Sequence, residues 1–123
     1  MMIRFKRLFK SFQYAFRGLI KIFREEQNLR VQTLVGVVVL FFGWFFMISR
    51  IEWAILILII GLVFLMEILN SAVERVTDML KPRINTYVKE IKDIMAAAVM
   101  FASFVAVLVG FIIFIPCIKD FLF

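Results

Sequence analysis

Trp53-Ala-Ile-Leu-Ile-Leu-Ile-Ile-Gly-Leu-Val-Phe-Leu-Met-Glu67-Ile-Leu-Asn70-Ser71-Ala-Val73-Glu74 is the stretch that decides the fold. From Trp53 to Val73 it is hydrophobic enough to cross a membrane, and its one charge is Glu67. A carboxylate in such a span costs roughly 2.5–3.5 kcal/mol on insertion scales, which makes it a candidate functional group rather than a stray one. On a helix, Glu67, Asn70, Ser71, Glu74 and Asp78 share one face, a polar stripe leading from the bilayer to its edge.

Outward from this stretch the chain keeps the same character. Of 123 residues 64% are hydrophobic, and the mean hydropathy is +1.01; an ordinary soluble domain is about 45–50% apolar. Residues 31–49 carry no charge, 53–73 only Glu67, and 94–118 none. Each approaches or exceeds the roughly 20 residues that a helix needs to cross about 30 Å of hydrocarbon. The expectation is an all-α membrane protein: one membrane domain over 1–123, three transmembrane helices, and no separate soluble domain. Residues 74–93 form the connection between the second and third spans, with a break at Pro82 and Asn85.

The basic residues orient these spans. Arg4, Lys6, Arg7, Lys10, Arg17, Lys21, Arg24 and Arg30 precede the first; Arg75, Lys81, Arg83, Lys89 and Lys92 lie between the second and third. The first connection holds only Arg50, opposed by Glu52, and the tail only Lys119 with Asp120. The positive-inside rule puts the N-terminus and the second connection in the cytoplasm, and the first connection and C-terminus outside. The net charge of +6 then reads as attraction to anionic lipid and phosphate ligands. Nucleic acid is not an expected partner, since the charge is tied to membrane flanks.

The N-terminal segment is not a signal peptide, because charge and hydrophobe interleave instead of separating. Phe5, Phe9, Phe12, Phe16, Leu19 and Phe23 recur every three or four residues with Lys and Arg between them. That spacing predicts an amphipathic interfacial helix over 3–28, either a passive anchor or a wall over the polar face of the second span. Ala98, Ala102, Ala106 and Gly110 form a small-residue stripe suited to close helix packing. With no His in the chain, His-based catalysis and His-ligated metals are excluded. Cys117 is single and reads as an apolar side chain. Neither GxxxxGK[ST] nor GxGxxG occurs, so the usual glycine-loop solutions to phosphate binding are absent.

Glu67 lies 14 residues beyond Trp53, about 21 Å along a helix, and Glu74 about 10 Å further. With the span running inward, both fall in its cytoplasmic part. Glu25 and Glu26 come to the same depth from before the first span, and Lys92 and Asp93 from before the third. Carboxylates at a wet interface suit Mg²⁺, a hard cation that shares oxygen ligands with phosphates. Lys92 could hold phosphate as a point charge, and a partly desolvated Glu67 could take a proton from an alcohol. The plainer reading leaves Glu74, Asp78, Lys92 and Asp93 as solvated helix-end charges. From the residues alone, the site is an interfacial metal or phosphate site beside a buried acid.

Glu67-Ile-Leu-Asn70-Ser71-Ala-Val-Glu74, with Asp78 downstream and Lys92-Asp93 before an Ala-rich span, resembles the prokaryotic diacylglycerol kinase family, which includes undecaprenol kinases. Tyr14, Gly18, Glu26, Asn28 and Arg30 extend the resemblance over nearly the whole chain. It implies a homotrimeric kinase of the bacterial cytoplasmic membrane, with sites between subunits, transferring the γ-phosphate of MgATP to a lipid hydroxyl. By the same resemblance Glu26 and Glu74 bind the metal, Glu67 is the general base, and Asn70 belongs to the catalytic motif. Lys92 contacts phosphate, with Asp78 and Asp93 nearby. Arg7 and Tyr14 serve the nucleotide or lipid, and Ser71 stands with Glu67 and Asn70 toward the acceptor. The chain departs from the pattern at Glu25, Asn85 and Ile91, where some members have Asn, His and Ala. Residues 26–30 lean toward the undecaprenol-type members. An ion-coupled transporter using Glu67 and a non-catalytic assembly subunit are the competing readings.

Overall fold

A computed structural model describes residues 2–80 and 85–123 of the chain, with the side chain of Asn85 left undescribed. Four helices follow one another: α1 (Phe5–Glu25), α2 (Gln27–Phe45), α3 (Arg50–Leu80) and α4 (Asn85–Leu122). The described residues contain no strand. By length and composition α2, α3 and α4 can each cross a membrane, as three charge-poor spans predict.

The interfacial helix is shorter than its periodicity suggests. Glu26 leaves the helical region at φ −103° and ψ 111°, ending α1 and opening α2. Arg30 Nη1 donates to the Arg24 carbonyl at 2.6 Å, satisfying one of the acceptors that the end of α1 leaves open. Residues 27 and 28, expected in the surface helix, therefore belong to the first spanning helix. α1 buries none of its residues, and its Phe stripe is exposed along the chain, as an interfacial helix requires.

At the opposite end the α2–α3 turn is specified locally. Met47 takes a left-handed φ of 53°. The Ile48 N–H bonds the Gly43 carbonyl and the Met47 N–H that of Trp44, both at 3.2 Å, the bond pattern of a Schellman cap. Gly43 suits this position because a Cβ there would lie 3.0 Å from the Trp53 ring and 3.2 Å from Ile48. Ser49 and Glu52 then form a reciprocal capping box: Ser49 N–H to Glu52 at 3.1 Å, and Glu52 N–H to Ser49 Oγ at 3.2 Å.

α3 packs chiefly on α4, around Ile48, Leu56, Ile59 and Ile113. Ala102 is buried, with Ala98, Ala106 and Gly110 half-buried, so the small-residue stripe faces inward. A Cβ at Gly110 would meet nothing within 4 Å, so close approach rests on the alanines. Most large apolar side chains point outward, the arrangement of helices solvated by lipid. The helices also outrun the charge-free spans: α3 continues to Leu80 and α4 starts at Asn85, so most of 74–93 is helical. Pro82 lies outside the described residues, as does the side chain of Asn85.

Candidate functional site

Glu67 is 8% exposed on the face of α3 turned toward α2. Its Oε1 accepts a hydrogen bond from Gln32 Nε2 on α2 at 2.8 Å. One turn further, Asn70 Nδ2 donates to Glu74 Oε1 at 3.3 Å. Ser71, 2% exposed, donates from Oγ to Glu26 Oε1 at 3.2 Å and accepts from Arg75 Nη1 at 2.5 Å. Arg75 also pairs with Glu25 and lies 3.6 Å from Glu26 Oε1. The break at Glu26 thus has a consequence: it turns this carboxylate from the end of α1 onto the polar face of α3.

The expected residues fall into three sets. Glu67, Asn70, Ser71 and Glu74 lie along the polar face of α3 with Glu26 turned onto it, held in three separate hydrogen bonds: Gln32 to Glu67, Asn70 to Glu74 and Ser71 to Glu26. Lys92 and Asp78 make a separate pair, Nζ to Oδ1 at 2.7 Å, joining the helix ends of α4 and α3, with Asp93 exposed beside Lys92. Arg7 and Tyr14 stand exposed on α1, where the Arg17 guanidinium lies 5.8 Å from the centre of the Tyr14 ring. No hydrogen bond or ion pair among the described residues links Arg7 or Tyr14 to the α3 cluster.

Gln32 and Arg75 enter as residues that the sequence reading did not place at the site, while Glu25, expected at this depth, pairs with Arg75. For Gln32 a signal exists: it is one of two polar side chains in the span 31–49 before Ser49, three residues after buried Leu29 and four before buried Gly36. For Arg75 none does, since a basic residue at a cytoplasmic helix end is already explained by topology.

The donor set suits a hard cation. Glu26 and Glu74 each have one oxygen held by a neutral donor, Ser71 or Asn70, while the other makes no hydrogen bond among the described residues. No three acidic side chains among the described residues form a closed metal cage. Mg²⁺ does not need one, because it is commonly held by one or two carboxylates with phosphate and water completing the shell.

A multi-pass helical membrane protein with a buried acid at the mouth of its helix packing is the class that fold and site define. Residues 13–114 match the family described as prokaryotic diacylglycerol kinase. Among curated proteins, the chain is 36% identical over 110 residues to the undecaprenol kinase of Bacillus subtilis (strain 168), covering 89% of each. It is 34% identical over 110 residues to a diacylglycerol kinase of Synechocystis, covering 89% of this chain and 63% of the relative. With the diacylglycerol kinase of Escherichia coli (strain K12) the identity is 30% over 104 residues and 85% of both chains. The chain belongs to the prokaryotic diacylglycerol kinase family. The matched region includes every expected site residue except Arg7.

Proposed function

We propose that this protein is a lipid kinase transferring the γ-phosphate of ATP to the primary hydroxyl of a membrane lipid, diacylglycerol or undecaprenol. The observation that carries this reading is the buried Glu67 carboxylate on the same face of α3 where Asn70 holds Glu74 and Ser71 holds Glu26. The greater identity to the undecaprenol kinase over most of both chains favours undecaprenol as the acceptor.

The acceptor enters laterally with its hydroxyl at headgroup depth, and ATP arrives from the cytoplasm. Glu67 takes the hydroxyl proton as the oxygen attacks the γ-phosphorus in line and the bond to the β–γ bridging oxygen breaks. Glu26 and Glu74 would hold Mg²⁺, which supplies charge neutralisation on the phosphates. Lys92 leaves Asp78 to meet phosphate oxygens as negative charge develops. Burial keeps water from competing with the lipid for phosphate.

The basic N-terminal flank favours a cytoplasmic N-terminus in the bacterial inner membrane, with the C-terminus outside. A homotrimer accords with the large apolar surface that the single chain leaves uncovered. A transporter fits less well, because the acid stands toward one membrane face rather than at mid-bilayer.

The test is transfer of labelled phosphate from ATP to diacylglycerol and undecaprenol in parallel mixed micelles. Labelling of either supports the kinase reading, and the ratio of kcat/KM identifies the acceptor. Labelling of neither, with Mg²⁺ present and the oligomer intact, discards it in favour of an assembly subunit.

A further inference from the structure

The amide of Gln32 is bonded at one end only. Its Nε2 donates to Glu67 Oε1 at 2.8 Å, while its Oε1 is buried with no hydrogen-bond partner among the described residues. Buried carbonyls are normally paired, and each exception calls for a reason. Gln32 lines one end of an apolar cavity of about 430 Å³ between α2, α3 and α4, walled by Val35, Leu56, Ile60 and Val107. Ser103 is the one other lining side chain with a donor, and among the described residues no hydrogen bond joins it to Gln32 Oε1; the cavity leaves the amide room to turn.

The kinase reading gives the unpartnered end a use. Transfer breaks the acceptor O–H bond and the bond from the γ-phosphorus to the bridging oxygen, forms the new O–P bond, and leaves the proton on Glu67. A carboxylate only accepts hydrogen bonds, whereas a carboxylic acid also donates one. We propose that Gln32 is a positioning residue whose amide follows the protonation state of Glu67. Before transfer Nε2 donates to the carboxylate; after transfer a half-turn of the amide presents Oε1 to the acid's O–H. A lysine could serve only the first state and a carboxylate only the second. An amide serves both, and with nothing bonded to Oε1 the turn breaks no second hydrogen bond. Glu67 Oε1 itself takes the acceptor's proton, and rotation about its C–O bond turns that proton toward Gln32 once the phosphorylated lipid has left.

This inference rests on Glu67 acting as the base, and the experiment separates the two claims. Gln32→Met, Gln32→Glu, Gln32→His, Glu67→Gln and the Gln32→Met/Glu67→Gln double variant are purified full length. Each is assayed for phosphate transfer in mixed micelles containing undecaprenol and diacylglycerol. Gln32→Met keeps length but neither donates nor accepts usefully, and should lower kcat about 10- to 100-fold, with KM for ATP and lipid near wild type. Gln32→Glu cannot donate while ionised and should lose kcat similarly, which keeps the test open if Gln32→Met does not assemble. Gln32→His carries one donor and one acceptor and should recover most of the lost rate. In the double variant, Gln32→Met should add no loss to the residual rate of Glu67→Gln. Wild-type kcat in Gln32→Met or Gln32→Glu overturns the inference, as do losses that multiply in the double variant or appear in KM alone. A fully active Glu67→Gln would overturn the base assignment and this inference with it. An inactive Glu67→Gln beside a fully active Gln32→Met would overturn this inference alone.

Discussion

Ser71→Ala tests what the buried serine hydroxyl is for. The resemblance puts Ser71 on the acceptor side of the site, whereas its Oγ is already engaged between Glu26 Oε1 at 3.2 Å and Arg75 Nη1 at 2.5 Å. Removing it deprives Glu26 of its one neutral donor, but Arg75 remains 3.6 Å from the same oxygen, so the carboxylate is not left alone. Hydrogen bonds to charged groups are worth about 1.5–3 kcal/mol when well buried. The Glu26 and Arg75 side chains are 30% and 41% exposed, so water replaces part of what is lost. About 1 kcal/mol of hold on Glu26 is the resulting expectation, or roughly a fivefold rise in the Mg²⁺ concentration giving half-maximal rate. Initial rates of labelled phosphate transfer across a Mg²⁺ titration, with ATP and lipid saturating, measure it directly. An unchanged Mg²⁺ requirement, with the lipid KM raised instead, would refute the reasoning and return Ser71 to the acceptor.

Glu67→Gln should lower kcat by about 10²–10⁴ while leaving both KM values and the helical circular dichroism near wild type; retained turnover would remove the base assignment. Glu74→Ala should raise the Mg²⁺ requirement about tenfold or more, since it deletes a proposed ligand and the acceptor of Asn70; the same titration reads it. Asp78→Asn breaks the 2.7 Å pair with Lys92, whose partners are 62% and 35% exposed, so stability in a detergent unfolding series should change by less than about 1 kcal/mol. Leu56→Ala, at 1% exposure in the α3–α4 core, should cost about 2–5 kcal/mol in that series with the Mg²⁺ requirement unaltered.

How much of this was legible in the sequence depends on whether the information lies along one helix or between two. The stripe from Glu67 to Asp78 is a matter of spacing on α3, and the helix presents those residues as 3.6-residue periodicity requires. The small-residue stripe of α4 was readable for the same reason, and so were the three spans, since charge-free length is a local property. The end of α1 was not: no Gly or Pro marks Glu26, and the stop of the apolar stripe at Phe23 does not say which of the polar residues after it breaks the helix. At the break Glu26 and Glu25 meet Ser71 and Arg75 of α3, 45 and 50 residues away in sequence, partners that spacing along α1 does not show. The same division explains Gln32. Its place among apolar neighbours was visible, but its bond to Glu67 spans 35 residues, and periodicity carries no information about which face of one helix meets which face of another. A buried acid in a span can therefore be found from sequence by the energetic cost of putting it there. The group that makes that cost bearable, the Gln32 amide on α2, becomes visible only once the helices are packed.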